Sequence, residues 1–230
     1  MLSITELQKK LKKQLKDMDY ITVFLSGSKS FGLAHDLSDT DVMLLSNSTE
    51  TKTVNYSEYE LKIISISEIE NAVNEILESK RLNLNSQILL SEIYHGMPII
   101  NHKALEQIKR KISWSAIIQN MVVDRLRGYK FYKQDGIKFY ETQDISSARF
   151  CFQRAVENLI DAYLFLNRQL IVKDKWRLKS FRNVDNQLFN EVIKLYSELW
   201  STVDLQMILN EYENCCNKIF QLIQEKEIYE

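Results

Sequence analysis

The stretch that decides the reading of this chain is Phe24-Leu-Ser-Gly-Ser-Lys-Ser-Phe-Gly-Leu-Ala-His-Asp-Leu-Ser-Asp-Thr-Asp-Val-Met-Leu-Leu45. It opens at the end of an apolar run. Tyr20 to Leu25 is β-branched and aromatic and stops at Ser26-Gly27-Ser28, the pattern of a strand entering a turn. A glycine at such a turn lets the backbone approach a ligand closely. The N–H groups of the turn, and of any helix that follows it, suit phosphate oxygens, and the Ser28 hydroxyl adds one more hydrogen bond. Lys29 comes next, placed either to touch phosphate or to stay solvated.

The stretch closes on two carboxylates. Asp39 and Asp41 are one residue apart at the start of a second short strand, Asp41 to Leu45. In extended chain, positions i and i+2 point to the same side, about 6.5 to 7 Å apart along the backbone. Their carboxylates can therefore converge on shared hard cations, and a divalent ion is the usual way to neutralise two such charges. Glu60 starts a third strand, Glu60 to Ile66, with Leu61 and Ile63 on one face and Glu60, Lys62 and Ile64 on the other. It is the candidate third carboxylate; Glu58 lies close by and competes for the role. Three acids beside a phosphate-binding turn suit two-metal phosphoryl chemistry. One ion activates the acceptor oxygen, and the other holds the triphosphate and stabilises the leaving pyrophosphate. Positioning, and charge placed in advance, would supply most of the barrier lowering.

Gly27-Ser28, ten intervening residues and Asp39-Thr40-Asp41 together resemble the signature of the DNA polymerase beta-type nucleotidyltransferase superfamily. Within it the chain is similar to small bacterial members such as the aminoglycoside, lincosamide and minimal nucleotidyltransferases. The match covers residues 20–66; beyond that it rests on the layout of a helical second domain. The resemblance implies an α+β fold, with a mixed sheet flanked by helices followed by an all-helical bundle. It also implies two magnesium ions and transfer of a nucleoside monophosphate, with ATP the expected donor among NTPs. Carried over by position, Gly27 and Ser28 hold the triphosphate while Asp39 and Asp41 ligate both metals. Glu60 falls where the third carboxylate belongs, although an aspartate is commoner there. Some relatives build a shared site as homodimers.

Working outward, Ser3-Ile4-Thr5-Glu6 reads as a capping box that starts a helix, and Lys9, Lys10, Lys12, Lys13 and Lys16 coat its outer face. Residues 68–79 and 84–95 read as helices. From about Trp114 the pattern turns almost wholly helical, which sets a boundary near residue 112. Residues 1–112 are then the nucleotidyltransferase domain and residues 113–230 a helical, acceptor-binding one. Ile145, Ala148, Phe152, Ala155, Val156, Leu159, Ile160, Tyr163 and Leu166 recur at helical spacing along one long buried helix, with further helices over 186–199 and 203–226.

Two weaker signals lie in this second half. Lys173 to Arg182 is a basic run with interleaved aromatics. Lys175, Arg177 or Lys179 could reach the triphosphate and Trp176 could stack on an acceptor; the bland alternative is a solvated loop with one packed tryptophan. Glu157 and Asp161 stand four apart on the helix face opposite the apolar stripe, facing a cleft or water. Aminoglycoside-modifying relatives take a general base from outside the core sheet. By layout alone Glu157 is the candidate; an ion pair with Arg149, Arg154 or a neighbour competes.

Composition narrows the classes. Thirty basic against thirty-one acidic residues, a net charge of −1, argue against a dedicated nucleic-acid binder. No apolar run approaches the roughly 18 to 20 residues of a membrane span, and the N-terminus lacks the apolar core of a secretory signal. Cys151, Cys215 and Cys216 show no metal-ligand or redox spacing, and with His35, His95 and His102 they form no zinc cluster, so the expected setting is a reducing cytoplasm. The expected partners are an NTP and a small-molecule hydroxyl acceptor. Two readings compete: a protein-modifying transferase of a toxin–antitoxin or defence pair, and a nucleotide-sensing scaffold without turnover. The helical ribonucleases partnered with such transferases use an arginine followed four to six residues later by histidine, a spacing absent here. A scaffold has no reason to keep three converging negative charges.

Overall fold

The computed structural model describes residues 3–34, 38–48, 51–78, 83–170, 173–201 and 205–228. His35, with Asp36 and Leu37 of the decisive stretch, lies outside them, as do the expected helix ends at 79 and 203. The chain forms two compact units, Met1–Trp114 and Ser115–Glu230. The first is a mixed five-stranded sheet with helices and the second is helical, an α+β architecture.

In the first unit, α1 (Ile4–Gln14) begins at the capping box: Ser3 Oγ accepts from Glu6 N at 3.3 Å, and Ser3 N donates to Glu6 Oε2 at 2.8 Å. Strand β1 (Thr22–Leu25) leads into a single helical turn, α2 (Gly27–Ser30), and β2 spans Asp41–Ser46. A hairpin follows, β3 (Lys52–Asn55) and β4 (Glu60–Ser65), closed by Tyr56 N donating to Tyr59 O at 2.9 Å. Because β3 carries the chain backwards, β4 starts beside the start of β2 and runs parallel to it. Helices α3 (Ile66–Glu78) and α4 (Leu84–His95) pack together before the edge strand β5 (Met97–Ile100) and α5 (His102–Lys111). The strand order is β3-β4-β2-β1-β5.

Both faces of the central strands are buried. Val23, Leu25, Val42, Leu44, Leu61 and Ile63 form a core with Leu7, Leu11 and Leu15. Phe24, Met43, Leu45 and Ile64 alternate with them and are buried too. On that second side Gly96, at the end of α4, lies so close to Phe24 that a Cβ would meet its ring at 2.5 Å. The expectations named neither β3 nor β5. β3 is an exposed polar edge, and β5 contains Pro98, which a sheet tolerates at its edge.

The second unit comprises α6 (Trp114–Glu141, which starts one residue before the division), α7 (Ile145–Leu166), α8 (Asp174–Val184), α9 (Asn186–Ser201) and α10 (Leu205–Ile228). The axis is α7, which packs on α8, α9 and α10. Its apolar stripe, read from the sequence, is buried from Ala148 to Leu166, with Ile145 half-buried. Helix α6 also approaches it closely: a Cβ on Gly128 would stand 2.4 Å from Asn158 Oδ1, and one on Gly136 would stand 2.6 Å from the Phe152 ring. The basic run at 173–182 is no loop; most of it is α8. Among the described residues, no helix is long and apolar enough to cross a membrane.

His95 closes α4 under the Gly-Ser turn, its ring 4.7 Å from that of Phe31 at the end of α2. Burial, aided by the Lys109 charge, lowers its pKa to about 4. The unfolded chain therefore takes up a proton near 6.5, the ordinary value for histidine, that the folded chain refuses until about 4. This contribution is full above the unfolded value and is lost as pH falls. Between about pH 7.5 and about pH 5 the loss is about 2 kcal/mol. Urea titrations should show His95→Gln losing that much less stability than wild type over this interval; equal losses would mean that the imidazole is not held neutral.

Candidate active site

The Gly27 turn, the start of β2 and the start of β4 meet at one end of the sheet. Gly27 adopts φ +64, a conformation that L side chains rarely take. A Cβ there would stand 1.8 Å from Asp41 Oδ2 and 2.7 Å from its Cγ. The glycine is thus required twice, once by its own backbone and once because the Asp41 carboxylate lies against its α-carbon. The backbone fixes this approach, since Ser26 N donates to Asp41 O at 2.9 Å. Within the turn, Ser30 Oγ donates to Gly27 O at 3.0 Å and Leu33 N to Ser28 O at 2.9 Å; Ser28 is buried.

Asp41 pairs with Glu60 across the parallel ladder, Val42 with Leu61, and so on to Ser46 with Ser65. Paired residues of parallel strands project to the same face, with backbones about 4.8 Å apart. Asp41 and Glu60 therefore share the side of the sheet that carries Met43, Lys62 and Ile64. Asp39 stands exposed in the segment leading to β2. Among the described residues, no three His, Cys, Asp or Glu side chains form a group that could hold a metal ion by themselves. Magnesium seldom asks for such a cage. It usually binds through one or two carboxylates together with substrate phosphates, keeping several waters. The donor set beside the Gly27 turn fits an ion delivered with a polyphosphate, not one held by protein alone.

One residue here escaped the sequence reading. Thr40, between the aspartates, accepts a hydrogen bond from Lys29 Nζ on its hydroxyl and one from Glu60 N on its carbonyl, the latter at 2.9 Å. The signal was its position, masked by the attention that the flanking carboxylates draw.

The remaining candidates belong to the second unit. Glu157 is engaged by Arg154 Nη1 at 2.7 Å, Gln153 Nε2 at 3.0 Å and Arg177 Nη1 at 3.5 Å. It lines a cavity of about 370 Å³ with Phe150, Arg154, Asp174, Arg177 and Tyr196. Asp161 does not face a cleft or water: it is 4% exposed, gripped by Arg177 Nε and Nη2 at 2.7 and 3.2 Å, with Arg125 Nε at 3.3 Å. Burial pushes its carboxyl up, against the pull of Arg177 and Arg125. Burial also opposes the Arg177 charge, but Asp161, with Glu157 and Asp174, outweighs it and raises the guanidinium pKa. That arginine is committed inside its own unit. Lys175 and Lys179 are exposed on α8, and Lys175 Nζ lies 5.1 Å from the Trp176 ring centre.

This geometry can be set beside known proteins. A nucleotidyltransferase-like protein from Exiguobacterium sibiricum 255-15, known from its crystal structure, superposes with a TM-score of 0.51. The chain shares that fold. The match covers 97% of this chain and 75% of the other, at 12% sequence identity. No protein-family model matches the chain, and no curated protein matches it.

Two glycines separate backbone strain from site geometry. Gly32 also has positive φ, +68, but open space surrounds its α-carbon. Gly32→Ala should lose about 1–2 kcal/mol in thermal or urea unfolding, the cost of a left-handed L-residue, and Gly27→Ala should lose more. The excess at Gly27 is expected because only there does the new methyl displace Asp41. Equal losses would detach the turn from the acid.

Proposed function

We propose that this chain is a magnesium-dependent nucleotidyltransferase, moving a nucleoside monophosphate from an NTP, with ATP the expected donor, to a hydroxyl of a small-molecule acceptor. One observation carries the reading: Asp41 and Glu60 share a rung of two parallel strands, with the Gly27 α-carbon against the Asp41 carboxylate. That arrangement concentrates negative charge next to a backbone turn whose first residue carries no side chain. It suits a polyphosphate that brings its own divalent cations.

In this reading Gly27 and Ser28 receive the triphosphate, and Lys29 adds an ammonium to it. Asp39, Asp41 and Glu60 would hold magnesium, which supplies Lewis-acid activation of the acceptor oxygen and charge stabilisation of the leaving pyrophosphate. The acceptor oxygen bonds to the α-phosphorus and gives up its proton to solvent as the bond from that phosphorus to the bridging oxygen breaks, and pyrophosphate departs with the electron pair. The carboxylates, anchored to two hydrogen-bonded strands, keep the reacting groups aligned without reorganising. Glu157 is already occupied by two arginines and an amide, so a base there would first have to break two ion pairs, and we give it no part in taking the acceptor proton.

The test is incubation with α-labelled ATP, magnesium and a panel of hydroxyl acceptors. Label transfer and pyrophosphate release are expected, and Asp39→Asn or Asp41→Asn should cut both by about a hundredfold or more while the thermal midpoint is kept. Neither product with any acceptor would defeat the reading. Label on a protein band would change the acceptor class from small molecule to protein.

A further inference from the structure

Thr40 joins three parts of the candidate site. Its carbonyl receives Glu60 N at 2.9 Å, which ties the start of β4 to the segment entering β2. Its hydroxyl receives Lys29 Nζ from the helical turn that begins at Gly27. The next residue's carbonyl, Asp41 O, receives Ser26 N at 2.9 Å, so the same short segment is also fastened to the residue that precedes the turn. The two backbone bonds would form with any residue at position 40. The bond to Lys29 needs a hydroxyl.

We propose that Thr40 is a positioning residue that holds the Lys29 ammonium at the triphosphate subsite before nucleotide arrives, an inference that rests on the transferase reading above. A lysine side chain is a flexible four-carbon stem with high rotamer entropy, and immobilising it on a ligand weakens binding. Lys29 is half-buried and already tethered, so part of that ordering is done in the free protein. An ammonium has three donor protons. One is spent on Thr40, which leaves two for phosphate oxygens. The tether also keeps a positive charge on the residue between Asp39 and Asp41, where it offsets their repulsion while no cation is bound.

The test is calorimetric titration of the full chain with ATP and magnesium, for wild type, Thr40→Val, Thr40→Ser, Lys29→Met and the double variant Lys29→Met/Thr40→Val. Valine matches threonine in shape and suits the strand start, so it removes the hydroxyl alone. Thr40→Val should bind ATP about fivefold more weakly, the loss expected of one hydrogen bond of modest net strength. Thr40→Ser should restore the wild-type value. Adding Thr40→Val to Lys29→Met should cost nothing further, because the hydroxyl then has no ammonium to hold. Unchanged ATP affinity in Thr40→Val overturns the proposal, and so do losses that simply add in the double variant, which would mark Thr40 as a brace for the fold. Wild-type protein that binds no ATP removes the transferase reading and this inference together; wild-type binding with an unaffected Thr40→Val removes this inference alone.

Discussion

Asp41 and Glu60 carry the same charge on the same rung of two neighbouring strands. Like charges in that position oppose pairing, by roughly 0.2–1 kcal/mol for an exposed pair. The register survives because it is set by other residues. Leu61 and Ile63, on the opposite face of β4, are buried against Val42, Leu44 and α1, and each contributes about 1.5–3 kcal/mol of burial. A slip of one residue would move both to the other face and carry Glu60 and Lys62 onto the face packed against α1. Hydrophobic packing on one side of the sheet thus holds a repulsive pair in place on the other.

The second unit handles buried charge in the opposite way. Asp161 lies deep in α7, yet Arg177 and Arg125 reach it from α8 and α6, and Arg177 also reaches Glu157 and Asp174. These three carboxylates are answered by guanidinium groups of their own unit. Removing one partner from such a network typically costs about 3–5 kcal/mol, because the charge left behind is uncompensated. The contrast separates two carboxylate sets in one chain: one balanced internally as part of a helical core, the other set around a lysine, a threonine and a bare glycine.

Much of the architecture could be read from local pattern. The capping box at Ser3, the strand ending at Leu25, the alternation along β4 and the apolar stripe of α7 each depend on neighbours a few residues apart, and each appears in the structure. β3 and β5 were not legible. One is polar and exposed at the sheet edge, the other short and interrupted by Pro98, so neither has the apolar alternation of a central strand. The basic run at 173–182 hid a helix because its buried contacts, Ser180, Phe181 and the salt-bridged Arg177, are few and spread among lysines.

The sequence by itself determined the identity and spacing of the chemical groups: a glycine–serine turn, two aspartates one residue apart, and a later glutamate opening a strand. It also determined the α+β class, since hydrophobic periodicity is a local property of the chain. Only the tertiary structure decided that Glu60 sits beside Asp41, that the Gly27 α-carbon lies against the Asp41 carboxylate, and that Lys29 rests on Thr40. Each of these contacts joins residues 11 to 19 positions apart, and pairing across such a distance is fixed by strand direction and register, which are set by what the whole sheet can bury.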